Sequence, residues 1–232
     1  MSKVCAIIGI GPGNGEALVR RFCAEGYQVA MLSRSENTLK DMEQAYSGAT
    51  GYVCDATDSG QVRSALGRVE DDLGSIQTLV YNAGAGVFKS VEDSTEADFE
   101  HTWRVNTLGL AMATKAALPQ LRKHDQANIM VTGASAAWRG RANTAPFASA
   151  KAAQRSLAQS LARQLGPENI HVGYLVIDGV IDLPRTRKRM PDQPEEFFIQ
   201  ADAVADAIWA LCQQHRSGWT FELDLRPFGE SW

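Results

Sequence analysis

The chain has 232 residues, a formal net charge of −4, 44% hydrophobic residues and 22% charged ones. That length suits one large domain or two small ones, and the composition is that of an ordinary soluble globular protein. A mildly acidic balance argues against a nucleic-acid partner, which normally needs a basic excess, and no apolar run reaches the length of a membrane span. Cys5, Cys23, Cys54 and Cys212 are scattered without metal or redox spacing, and His101, His124, His171 and His215 show no ligand spacing. The reading is small buried thiols in a reducing cytoplasm, and no metal.

The predicted elements alternate along the chain. Val4 to Ile8 is apolar on both faces, as a strand covered on both sides should be. It runs directly into Gly9-Ile-Gly11-Pro-Gly13-Asn14-Gly15, with no small-residue cleavage pattern, so the N-terminus reads as mature structure. A helix is predicted over Glu16 to Glu25, a second strand over Tyr27 to Leu32, and a helix over Glu36 to Tyr46. Gly51 to Cys54 reads as strand three. Asp58 reads as the cap of a helix reaching Leu73, and Thr78 to Tyr81 as strand four. One long helix is predicted from Ala97 to Leu118, strand five over Asn128 to Thr132, and a helix from Phe147 to Leu165 stopped by Gly166-Pro167. Strand six covers His171 to Ile177, a last helix Asp202 to Gln213, and strand seven Trp219 to Leu225. Alternation at this spacing predicts a single doubly wound Rossmann-type domain over residues 1–232. It implies a seven-stranded parallel sheet of order 3-2-1-4-5-6-7 with helices on both faces.

The glycine-rich turn follows a buried strand and opens a helix. Absent side chains let the backbone approach a pyrophosphate, and the helix N-terminus offers oriented N–H groups. The spacing is Gly9-x-x-x-Gly13-x-Gly15 rather than G-x-G-x-x-G. At the end of strand two, where an NAD site usually carries an acid, the chain reads Ser33-Arg34-Ser35. Arg34 offers a bidentate partner for a 2′-phosphate, which favours NADP(H) over NAD(H), or it is a solvated arginine opening the next helix.

With Asp55 after strand three, Asn82-Ala83-Gly84 after strand four, Asn106 in the long helix and Lys151 in the next, this chain resembles the short-chain dehydrogenase/reductase family over nearly its whole length. The resemblance implies that Gly9, Gly11, Gly13, Asn14 and Gly15 hold the pyrophosphate and that Asp55 and Ala56 lie beside the adenine. It implies that Asn82, Ala83 and Gly84 support the adenosine side, and that Gly179 and Ile181 line the far end. It further implies that Asn106 holds a water in a proton relay and that Lys151 bonds the nicotinamide ribose. Read without the family, Lys151 is a surface lysine.

The departures from the pattern gather at the chemistry. Phe147 stands in the position of the proton-donating tyrosine, and Ala134, with Ser135 beside it, in that of the serine. Asp178-Gly179 replaces the usual Pro-Gly. Leu183 sits where a threonine often contacts the carboxamide, and Ile8 where a threonine is usual before the loop. The pattern resembles a divergent subgroup in which phenylalanine replaces the tyrosine. A positioned general acid is worth about 10²–10⁴-fold in rate. The implied function is an NAD(P)-dependent oxidoreductase with a non-standard site, the proton coming from a water at Asn106 and Lys151, from Ser135, or from solvent. The alternative is a non-catalytic cofactor-binding or scaffold protein, with Phe147 as packing and Ser135 as a strand-end hydroxyl. Arg139, Arg141, Arg185, Arg187, Lys188 and Arg189 suit an anionic small-molecule substrate, or form a solvated loop balanced by Glu195 and Glu196. A cytoplasmic homodimer or homotetramer is expected.

Overall fold

The structure is a computed structural model and describes residues 3–229. Five short apolar runs form the centre of the sheet: β1 (Val4–Ile8), β2 (Gln28–Ser33), β4 (Ile76–Tyr81), β5 (Ala127–Thr132) and β6 (Ile170–Ile177). β3 (Ala49–Val53) and β9 (Glu222–Leu225) form the edges. All pair in parallel, in the order β3-β2-β1-β4-β5-β6-β9, which is the predicted topology. Every residue of β1 and β5 is buried, because each strand has a layer of helices on both faces.

Two cores follow from the alternation of side chains. Val4, Ala6 and Ile8 face one layer, built from α3 (Ser59–Leu73), α5 (Gly109–Leu121) and α6 (Ala145–Leu165). Cys5 and Ile7 face the other, built from α1 (Asn14–Ala24), α2 (Glu36–Ala45) and α8 (Ala201–Cys212). Asp58 caps α3 as expected, its Oδ1 accepting from Gly60 N at 2.8 Å and Gln61 N at 3.0 Å. No helix among the described residues is long and apolar enough to cross a membrane.

Three expectations change. The helix predicted from Ala97 to Leu118 is α4 (Glu96–Trp103), a π turn (Arg104–Leu108) and α5. Tyr81 Oη donates to Val105 O at 2.5 Å and Gln154 Nε2 to Asn106 O at 2.8 Å, and these side chains take carbonyls from the helical ladder. Gly109 makes room, since a Cβ there would lie 2.1 Å from Tyr81 Oη. Strand seven is shorter than predicted, because Trp219 Nε1 and Thr220 N donate back to Gln214, at 3.2 and 2.7 Å, and pairing begins only at Glu222. The stretch after β6 has structure that periodicity did not show. β7 (Val180–Ile181) pairs with β8 (Phe198–Ile199) around α7 (Pro184–Arg189).

Candidate active site

The strand order reverses at β1, which has β2 on one side and β4 on the other. Carboxyl-end loops diverge at such a point and leave a crevice. Here the two loops are fastened together. Asn82 N donates to Ile8 O at 2.8 Å, and Asn82 Nδ2 to Gly9 O at 2.7 Å. Gly9 has a φ of 102°, and a Cβ on it would lie 2.3 Å from Ala83 N, so only glycine fits. α1 starts at Asn14 with no side-chain cap, leaving its first N–H groups to the crevice. Asn14 Oδ1 is buried with no hydrogen-bond partner, as is Asn106 Oδ1 at the other end of the crevice. Buried polar atoms are almost always paired, and a ligand carrying hydroxyl and amide donors would satisfy both. The uncapped helix, the glycine cradle and the two orphaned acceptors fit a dinucleotide.

At the rim, Ser33 Oγ donates to Ile10 O at 3.2 Å, and Ser35 Oγ caps α2 by accepting from Thr38 N at 3.3 Å. Arg34 projects between them, exposed, with no hydrogen bond or ion pair among the described residues. Asp55 Oδ1 accepts from Thr57 N and Thr57 Oγ1, both at 2.8 Å, which fixes the turn carrying Ala56.

The deep end is assembled from four elements. Lys151, on α6, is buried. Its Nζ donates to Thr132 O, at the end of β5, and to Gln154 Oε1, both at 3.0 Å. The π turn frees Asn106 O, and Gln154 Nε2 fills it. Asn106 Nδ2 donates to Ala85 O at 2.9 Å and Thr102 O at 2.8 Å, which aims Oδ1 toward Gly84. A Cβ on Gly84 would lie 3.5 Å from that Oδ1 and 4.0 Å from Lys151 Nζ, so the Asn82–Gly84 turn, Asn106 and Lys151 converge. Lys151 is therefore no surface lysine. Burial without a carboxylate pushes its pKa down to about 7.

Phe147 opens the same face of α6, half-buried. Its ring centroid is 5.2 Å from that of the exposed Phe88 and 6.0 Å from Lys151 Nζ. Ala134 is extended and gives no hydroxyl. Ser135 opens a 3₁₀ turn and its carbonyl accepts from Trp138 N at 2.9 Å and Arg139 N at 3.1 Å. The Ser135 hydroxyl makes no hydrogen bond among the described residues.

On the substrate side, Arg139 and Arg187 are paired within the chain. Asp178 is buried; it accepts from Arg139 Nη2 at 3.1 and 3.0 Å and forms an ion pair with Arg226 at 3.4 Å. Arg187 forms a forked pair with Asp182, at 2.6 and 2.9 Å, and lies 4.1 Å from the Phe198 ring centroid. Asp182, rather than Glu195 or Glu196, carries its hydrogen bonds. Gly179 is wedged against Pro227 and Ile199, Ile181 pairs with Ile199, and Leu183 packs over Gly13. Thr132, Gln154 and Phe88 were not singled out by the sequence. Gln154 carried a signal nonetheless: it is a polar residue on the inward face of α6, between Lys151 and Ala158, and is fully buried.

A family model described as short chain dehydrogenase matches residues 3–194 of the chain. The chain belongs to this family. It is 31% identical over 188 residues to the 3-oxoacyl-acyl-carrier-protein reductase MabA of Mycobacterium tuberculosis, covering 81% of this chain and 72% of that protein. A short-chain dehydrogenase from Rhodopseudomonas palustris superposes with a TM-score of 0.81 at 31% identity, over 97% of this chain and 99% of the other. An alcohol dehydrogenase from the archaeon Thermococcus sibiricus, solved with 5-hydroxy-NADP, superposes with a TM-score of 0.86 at 26% identity, over 100% and 99%. A nicotinamide cofactor and oxidoreductase character follow from the family.

Proposed function

We propose that this short-chain dehydrogenase is an NADP(H)-dependent oxidoreductase acting on a small carbonyl compound or its alcohol, with a proton supply that does not use the tyrosine position. The observation that carries the reading is the buried Lys151. An ammonium taken out of water with no counter-charge costs several kcal/mol, and a scaffold gains nothing from keeping it. The glycine cradle from Gly9 to Gly15 with Asn14 would hold the pyrophosphate. Asp55, Ala56 and the Asn82–Gly84 turn would hold the adenosine side, with Gly179 and Ile181 beyond. Arg34, exposed and with no ion pair among the described residues, would pair with a 2′-phosphate. When bound, the cofactor supplies or accepts the hydride. Lys151 and Asn106 Oδ1 then orient the ligand, and the Phe147 and Phe88 rings exclude water from the entrance. The relatives' activity on 3-oxoacyl chains makes acyl thioesters one arm of a substrate panel, beside simple ketones and enones. The protein is further taken to be a homodimer or homotetramer, and elution as a monomer at micromolar concentration would contradict that.

The test is fluorescence titration with NADPH and NADH, followed by NADPH oxidation across that panel. Saturable NADPH binding at least tenfold tighter than NADH is expected, with turnover on at least one arm. No binding at millimolar cofactor would sink the reading.

A further inference from the structure

Resting on that reading, we infer that Lys151 is itself the proton-carrying group of this site and that Gln154 is the residue that positions it for the task. The geometry separates Lys151 from a lysine that merely grips a ribose. Two of its N–H bonds end on neutral carbonyls, Thr132 O and Gln154 Oε1, each at 3.0 Å. Gln154 is anchored in turn, because its Nε2 donates to Asn106 O at 2.8 Å. The amide therefore spans the gap between the π turn and the lysine. With two of its N–H bonds held by these carbonyls, the third N–H of Lys151 is left for the side where Gly84 and the Phe147 ring lie.

The surroundings keep the ammonium easy to deprotonate. From β6, Tyr174 Oη lies 3.4 Å from Gln154 Oε1, and burial pushes its ionisation far up, so it is neutral. From β4, Tyr81 donates to Val105 O and is likewise neutral for the same reason. No carboxylate from α4, α5, β5 or β6 acts on Lys151, and burial is the one cause acting on its pKa, lowering it to about 7. A lysine tuned to about 7–8 is matched to general acid–base work near neutral pH. In the reductive direction a bound reduced nicotinamide would supply the hydride to the carbonyl carbon, and the C=O π pair would move to oxygen. That oxygen takes a proton from Lys151 Nζ, so one N–H bond breaks and one O–H bond forms. The nicotinamide is oxidised, the carbonyl is reduced, and the neutral amine regains its proton from solvent.

The experiment follows the Lys151 ammonium by NMR in the intact protein labelled at lysine Cε, in parallel with the pH dependence of kcat for NADPH oxidation. Lys151→Met assigns the resonance. The expected midpoint is near neutral, coinciding with a fall in kcat as pH rises through it. Gln154→Glu places a carboxylate on the ammonium and moves both midpoint and kinetic limb up by at least one pH unit. Gln154→Met, which keeps the volume and removes the acceptor, moves them down, and serves should the glutamate variant fold poorly. Lys151→Arg keeps the positive charge but holds its proton at all working pH, so kcat falls at least about 100-fold. A Lys151 midpoint above 9.5 with NADPH oxidation intact, a kinetic limb unmoved by both Gln154 variants, or a Lys151→Arg enzyme within tenfold of the parent overturns the inference alone. A near-neutral midpoint with no NADPH binding or oxidation overturns the oxidoreductase reading, and the catalytic role with it.

Discussion

The two halves of the crevice were built under different constraints. The half formed by the β1 and β4 loops is a backbone device: Gly9 against Ala83, Asn82 onto Gly9 O, an uncapped α1. Its side chains matter mostly by being small. The half formed by β5, α6 and the β6 loop is a side-chain device, in which each group acts through its own contacts. Phe147 and Ala134 carry no hydroxyl, Asp178 binds two arginines, and Gln154 bridges Lys151 to the π turn. A backbone site tolerates almost no substitution because its geometry is the site. A side-chain site can be rewritten one residue at a time while the frame stands.

The sharpest way to break this contrast is Gly9→Val. It forces a β-branched residue into a left-handed φ and drives a Cβ into the Ala83 backbone. We expect a loss of more than about 3 kcal/mol in urea-unfolding stability, or no folded protein at all. A variant within 1 kcal/mol, still binding NADPH, would show that the backbone half is not rigid (about 1 kcal/mol is an ordinary single substitution). Arg34→Ala should be milder and selective. Losing a charge-assisted phosphate contact weakens NADPH binding by roughly 10- to 100-fold and leaves NADH binding unchanged. Equal losses for both cofactors in a titration would mean that Arg34 is merely solvated.

The next effect is read in pH. Lys151 binds its proton less tightly when folded, with a pKa of about 7, than a free lysine at about 10.4. Between those values the unfolded chain holds more protons, so this group's stabilising contribution is complete above about 10.4 and is lost as pH falls toward 7. The wild type should therefore gain stability relative to Lys151→Met as pH rises from 7 to 8.5, by about 1.4 kcal/mol per unit at most. Cys5, Cys23, Cys54 and Cys212, all raised by burial, act oppositely once free thiols ionise, but they are common to both proteins and cancel in the difference. Parallel curves for the two proteins in urea would show that Lys151 keeps its ordinary pKa.

How much of this was legible in sequence follows the same division. The backbone half was readable because glycine spacing and buried strands are local signals, and Gly9-x-x-x-Gly13-x-Gly15 after Val4–Ile8 needs no partner to be recognised. The strand order was readable from alternation. The side-chain half was not, because its contacts join residues far apart: Gln154 to Asn106 and Asp178 to Arg139 and Arg226. The π turn was invisible for the same reason, since it depends on Tyr81 and Gln154 arriving from other elements. The Arg187–Asp182 pair was missed although its members are only five residues apart, because the basic run was weighed against Glu195 and Glu196.

The smallest expected effect asks what the Phe147 ring is for. It touches Phe88, whose ring is 57% exposed, at 5.2 Å and a 51° tilt, an arrangement worth about 0.5–1.5 kcal/mol beyond area burial. A double-mutant cycle of Phe88→Ala and Phe147→Ala, read by urea unfolding, should return a coupling of that size. If it does, and NADPH binding is unchanged in all four proteins, the ring is a structural lid closing the hollow left by the missing hydroxyl. If the coupling is below about 0.3 kcal/mol, the two rings do not hold each other, additivity being the behaviour of independent sites. Phe147 would then face whatever enters the crevice, and Phe147→Ala would raise KM for an apolar substrate while leaving kcat in place. That second outcome moves Phe147 from the frame into the rewritten half, beside Lys151 and Gln154.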